Sequence, residues 1–211
     1  MRGEQRMDEI LTYLREKYAP LSVILYGSWA DGTQDVDSDW DALVITADGV
    51  QSHDTSVVAG VQLDVFVYPS QCLEGEFDLE QVIQIHEGRL LWDHEGMGDA
   101  LMRRVQAYVD GLPRKTEEEI RDGIAWCRKM CLRTQREDAE GLFRWHWLLT
   151  ESLEIYCDAS GRHYWGPKKT LAWMQRHFPE DFACYTRALK EFSQESLQDW
   201  IACLLKPTDR R

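Results

Sequence analysis

The chain has 211 residues, 44% of them apolar and nine of them Trp, and carries a formal charge of −13. That length suits one large domain or two small ones, with enough apolar side chains for a core. The acidity argues against nucleic-acid binding, which needs a basic stripe to displace counterions; it suits a cationic or metal-bound ligand, although acidity alone also serves solubility.

Ile10, Leu11, Leu14 and Tyr18 recur at helical spacing and predict a helix over Met7–Tyr18, stopped by Pro20. LSVILY (21–26), WDALVI (40–45) and VQLDVFVY (61–68) read as strands, the last closed by Pro69. The polar, glycine-containing connection between the second and third suits a hairpin. Leu79–His86 reads as a short helix and RLLWD (89–93) as a fourth strand.

Beyond Gly96 helical periodicity takes over. Asp99–Val109 is one candidate helix, followed by Gly111 and Pro113. Thr116 and Glu119 have the spacing of a capping box opening a helix to about Arg136. Further helices are expected over Gly141–Ala159, Lys168–His177, Asp181–Phe192 and Ser196–Leu205, with Asp181 and Ser193 as caps. The expected architecture is α+β, a mixed-sheet domain over residues 1–96 and an all-helical bundle over 97–211.

No apolar run approaches the length of a membrane span, about 18 residues. The N-terminal MRGEQRMDEI lacks an apolar signal core, and the six cysteines lack CxxC pairing. Buried reduced thiols and a cytoplasmic location are the expectation. Cys127 and Cys131, one helical turn apart, read as buried thiols rather than a shared metal site.

Between the first two strands lie Asp31, Asp35, Asp37, Asp39 and Asp41. Asp39 and Asp41 flank Trp40 at a strand start, so both face the same way. Asp64 sits inside the apolar run VQLDVFV, where an ionised carboxylate is costly unless paired or metal-bound. If the two strands are neighbours, the three carboxylates form an oxygen-donor set for divalent metal, with the two-ion spacing of phosphoryl-transfer sites. Gly27-Ser28 directly follows the first strand. A glycine there lets backbone approach a phosphate, and Ser28 offers a hydroxyl and an N–H at a possible helix start. Asp31, Asp35 and Asp37 read as loop solvation.

A strand, Gly-Ser, ten residues, Asp-apolar-Asp opening a strand, and a later strand with a central Asp together resemble the DNA polymerase β-like nucleotidyltransferase superfamily. The resemblance covers about Leu21 to Val67, with RLLWD fitting the family's additional strand. It implies that Gly27 and Ser28 contact the triphosphate of ATP and that Asp39 and Asp41 ligate two Mg²⁺ ions. Asp64 then either completes the metal site or acts as general base for an acceptor hydroxyl.

In the second half, Gly161–Phe182 is similar to a segment of aminoglycoside adenylyltransferases in which a Gly-containing turn and Pro-Lys open a helix. The resemblance implies that Lys168, with Lys169 beside it, contacts the triphosphate. Glu151, Glu154 and Asp158 lie on one helix face, either as a solvated stripe or as a site for amino groups of a cationic acceptor. His146, His163 and most of Trp145, Trp147, Tyr156, Tyr164 and Trp165 read as structural. The implied activity is AMP transfer from ATP to a hydroxylated, cationic small molecule, by a monomer or homodimer. The alternative is a protein-adenylylating regulator of the toxin–antitoxin kind; a non-catalytic nucleotide-binding module is a third reading, disfavoured by the presence of all three carboxylates.

Overall fold

A six-stranded mixed sheet organises the first of two units, Met1–Leu112 and Pro113–Arg211, in a computed structural model that describes residues 2–136 and 138–204. The strands are β1 (Ser22–Leu25), β2 (Trp40–Thr46), β3 (Ser52–Asp54), β4 (Val57–Val58), β5 (Val61–Pro69) and β6 (Arg89–Asp93). Their order is β3-β5-β2-β1-β6, with β4 also paired to β5.

The hairpin expected between the second and third long strands is corrected. β2 and β5 run parallel, and every other pairing is antiparallel. Parallel neighbours cannot be joined by a tight turn. The connecting residues instead form β3 at the sheet edge and then β4, and β5 enters between β3 and β2. The tight turn lies between β4 and β5, at Ala59 (φ 52°) and Gly60 (φ 75°), the two positive angles a two-residue hairpin loop requires.

Helix α1 (Arg2–Tyr18) covers one face of the sheet. Its fully buried Ile10 and Leu14 join a cluster with Val23, Leu25, Trp40 and Val65. One-turn α2 (Ser28–Asp31) follows β1 directly. By alternation the opposite face carries Leu43, Ile45, Asp41 and Asp64. Buried Val82 and Ile85 come from a 3-10 segment at Leu79–Glu87, where the sequence pattern predicted a short helix.

Helix α3 (Met97–Asp110) packs on that segment, on β6 and on β1. Asp93 Oδ1 accepts from Ser22 Oγ (2.5 Å) and Gly98 N (2.9 Å), so one carboxylate ties β1, β6 and the start of α3 together. Cohesion therefore carries the first unit to Leu112, one helix past the composition change at Gly96.

The second unit holds α4 (Glu117–Arg133), α5 (Ala139–Ala159), α6 (Pro167–His177), α7 (Pro179–Lys190) and α8 (Gln194–Leu204). The Thr116/Glu119 capping box forms. Met130, Leu148, Tyr156, Leu197 and Trp200 make its core. Two polar atoms of this core are paired within it: Trp200 Nε1 donates to Ser152 Oγ (2.8 Å) and Tyr185 OH to the Leu149 carbonyl (2.9 Å). Asp181 is not a cap. Pro179 starts α7, and Asp181 lies buried in its first turn, accepting from Tyr156 OH at 2.8 Å. Ser193 does cap α8, its Oγ accepting from Ser196 N at 3.1 Å. Leu205, the expected end of that helix, is outside the described residues.

All six cysteines are free; Cys127 and Cys131 are buried thiols, and burial pushes Cys127 up to about 12. Among the described residues no helix is long and apolar enough to cross a membrane.

Candidate active site

Asp41 and Asp64 are register partners across the parallel pair β2–β5. Partners on neighbouring strands lie about 4.8 Å apart and present their side chains on the same face. Asp41 is half-buried, and the Asp64 side chain is 39% exposed. Trp40 points the other way and is fully buried, which places Asp39, just before β2 and exposed, on the Asp41 side of the alternation. Among the described residues, however, no three His, Cys, Asp or Glu side chains gather closely enough to hold a metal ion. The register brings two of the three expected carboxylates together; Asp39 does not close a three-donor group with them.

Gly27 completes this corner. Its φ of 65° lies in the left-handed region, and a Cβ there would overlap the Asp41 carboxylate oxygen Oδ2. Both facts require glycine, because any larger residue would strain the turn and displace Asp41. Tyr26 N donates to the Asp41 carbonyl at 3.0 Å, and the Gly27 carbonyl accepts from Ala30 N at 3.1 Å. Ser28, 6% exposed, opens α2.

The Tyr26 phenol registers both carboxylates. Burial, followed by the Asp64 and Asp41 charges, pushes it well above its ordinary range against an opposing hydrogen bond with Gln84. The sequence reading did not single out Tyr26, although it directly precedes Gly27. It also missed His53, whose Nε2 lies 2.5 Å from Asp64 Oδ1. β3 is three residues long, too short to leave a periodic signal.

Two of the remaining loop carboxylates, Asp31 and Asp35, bind nearby backbone. Asp31 Oδ1 accepts from Thr33 N at 3.0 Å, and Asp35 Oδ1 from Asp37 N at 3.1 Å. These are turn-forming contacts.

In the second unit, Gly166 (φ 87°) precedes Pro167, the first residue of α6. Lys168 is exposed and Lys169 half-buried in that first turn. On α5, Glu151 is exposed while Glu154 and Asp158 are half-buried and already hold a cation. Lys115 Nζ lies 3.1 Å from Glu154 and 2.8 Å from Asp158. His146 is exposed and meets Phe192 edge-on, and His163 lies beside Trp165.

As a donor set, Asp41 and Asp64 suit a hard divalent cation such as magnesium, which commonly takes one or two carboxylates and completes its shell with substrate phosphates and water.

No curated protein matches the chain. Fifteen chains of solved structures align with it, among them three at low identity. A toxin–antitoxin structure with AMP-PNP shares 19% identity over 48% of this chain and 84% of that one, at a TM-score of 0.34. A nucleotidyltransferase-like protein from Exiguobacterium sibiricum shares 13% over 96% and 73%, at 0.37. Spectinomycin adenyltransferase AAD(9) from Enterococcus faecialis, with ATP and spectinomycin, shares 10% over 96% and 99%, at 0.42. Likenesses this weak decide nothing about substrate. The sequence model of the nucleotidyltransferase domain, by contrast, matches residues 7–120, more than half of the chain and all of the Gly27–Asp64 constellation. With that match and this corner of the sheet, the chain belongs to the nucleotidyltransferase domain family and is a nucleotidyltransferase.

Proposed function

We propose that this enzyme transfers AMP from ATP to a hydroxyl of a small, cationic acceptor of the aminoglycoside type, with Mg²⁺ bound at Asp41 and Asp64 and Asp39 contributing at its edge. The observation that carries the reading is the pairing of Asp41 with Asp64 on parallel strands, with the Gly27 backbone pressed against Asp41. Gly27 lets the Asp41 carboxylate come against the main chain, and Ser28 offers a hydroxyl and an N–H beside it for a phosphate.

In the reaction the acceptor oxygen attacks the α-phosphorus in line. The new O–P bond forms as the bond from the α-phosphorus to the bridging oxygen of pyrophosphate breaks, and pyrophosphate leaves with the electron pair. The acceptor's hydroxyl proton passes to an Asp64 oxygen or to water. Magnesium, when bound, neutralises charge that develops on the triphosphate. The carboxylates fix the geometry, and positioning with electrostatic stabilisation accounts for most of the rate.

The cationic acceptor is supported by the chain's formal charge of −13 and by the α5 carboxylates. Glu154 and Asp158 together accept an ammonium in the form of Lys115, so a substrate amine would compete with that side chain.

The test is to incubate the protein with ATP, Mg²⁺ and a panel of aminoglycosides and other hydroxylated amines, following pyrophosphate and the acceptor's mass. The expected result is one adenylyl group on the acceptor, absent with Asp41→Asn. Labelling of a co-expressed protein with no small-molecule product would favour the regulator reading instead.

A further inference from the structure

We infer that His53 is a positioning residue for Asp64: it donates a hydrogen bond that holds one carboxylate oxygen and so aims the other into the site. This rests on the reading of Asp64 as part of the nucleotidyl-transfer site.

The register explains how a residue eleven positions earlier reaches Asp64. His53 is the direct partner of Phe66 across the antiparallel pair β3–β5. Asp64 lies two residues before Phe66, on the same face, and is therefore the diagonal neighbour of His53. Diagonal neighbours are about 7–8 Å apart at the backbone, within reach of a long or aromatic side chain. The imidazole spans that gap. It lies flat on the Phe66 ring, with centroids 4.3 Å apart and planes 7° apart, and its Nε2 comes to 2.5 Å from Asp64 Oδ1.

Chemistry sets the polarity of the contact. An ionised carboxylate only accepts, so the hydrogen must reside on His53 Nε2. Asp64 needs such a restraint. Its side chain is 39% exposed and its strand neighbour Asp41 is another carboxylate, which would turn an unrestrained Asp64 outward. Phe66 fixes the imidazole, the imidazole fixes Oδ1, and Oδ2 is left for metal or acceptor. Hydrogen-bonded outer partners of this kind typically contribute 10- to 100-fold to metal affinity or activity.

Two substitutions separate donor from packing. His53→Phe keeps an aromatic ring on Phe66 and removes the N–H; His53→Gln restores a donor at similar reach. For wild type, both variants and Asp64→Asn, Mn²⁺ binding with a non-hydrolysable ATP analogue is measured by calorimetry, transfer kinetics are followed, and melting temperature is checked. Imidazole ¹⁵N NMR of the wild-type protein reports which nitrogen carries the hydrogen. The expected results are an Nε2–H tautomer for His53, a loss of about 10- to 100-fold in Mn²⁺–nucleotide affinity or kcat in His53→Phe at unchanged melting temperature, and recovery in His53→Gln. An Nδ1–H tautomer, or His53→Phe indistinguishable from wild type while Asp64→Asn is impaired, overturns the positioning role and leaves the active-site reading standing. Asp64→Asn indistinguishable from wild type in every readout removes Asp64 from the site, and both readings with it.

Discussion

A methyl group on Gly27 would take the space of Asp41 Oδ2, and Gly27 already holds a backbone angle of φ 65°. The turn after β1 and the carboxylate on β2 are therefore a single steric unit. A side chain at position 27 would therefore push the Asp41 carboxylate from its place.

Gly27→Ala tests that unit. A non-glycine residue at this angle costs about 1–3 kcal/mol. The displaced carboxylate should lower transfer by about 100-fold, the scale set by a misplacement of about 1 Å. Denaturant unfolding and kcat/KM measure the two effects on the same preparation. A variant with wild-type rate would show that Asp41's position does not matter.

Asp41→Asn and Asp64→Asn should separate activity from stability. Like charges directly opposite on neighbouring strands destabilise a sheet, while the His53 contact offsets this at Asp64, so either substitution should change stability by less than about 1 kcal/mol. Transfer should fall by roughly 100-fold or more. A variant that lost several kcal/mol of stability along with activity would make that carboxylate part of the fold's cohesion rather than a group reserved for the site.

Acid stability should depend on Asp54, away from the site. Its Oδ2 accepts from Tyr13 OH (3.0 Å), Tyr18 OH (2.8 Å) and Lys17 Nζ (3.0 Å), pinning α1 to β3. Burial alone raises this carboxyl, but hydrogen bonds from Ser56, Tyr18 and Lys17 outweigh it and hold the group well below its ordinary range. A value depressed in the folded state stabilises fully above the unfolded value of about 3.9 and is lost as pH falls through the folded one. Urea midpoints should show Asp54→Asn less stable near neutrality, with a smaller further loss between about pH 5 and pH 2 than in wild type.

Lys115 decides the meaning of the α5 carboxylates. Its ammonium is held in the charged form chiefly by the hydrogen bond to Asp158. If a substrate amine competes for Glu154 and Asp158, Lys115→Met should lower the KM for a cationic acceptor by about fivefold, equivalent to about 1 kcal/mol. Asp158→Asn should raise it. An unchanged KM in both variants, with a lower melting temperature, would make this a structural ion pair and withdraw the acceptor site.

The elements with long periodic patterns are legible in the sequence. Apolar spacing located α1 and the helices of the second unit, and short apolar runs located β1, β2, β5 and β6. Thr116 and Glu119 read as a capping box because that motif is local in sequence and in space. β3 and β4 were not legible, since three and two residues carry no period. Asp181 looked like a cap from its polarity alone; Pro179 had already started the helix, and Tyr156 OH takes the carboxylate inside the bundle.

Within the candidate site, Gly27-Ser28 after a strand, Asp39 and Asp41 at the opening of the next and Asp64 inside an apolar strand are legible together as a resemblance to the family, although glycine and aspartate at a turn are each common by themselves. Which carboxylates meet was decided only by tertiary structure. β5 could have followed β2 as a hairpin, with a different register. It instead enters between β3 and β2, parallel to β2, which sets Asp64 opposite Asp41 and one diagonal from His53. Strand order and register depend on how the whole sheet buries its apolar faces, a property distributed over distant residues, so no local stretch of sequence encodes them.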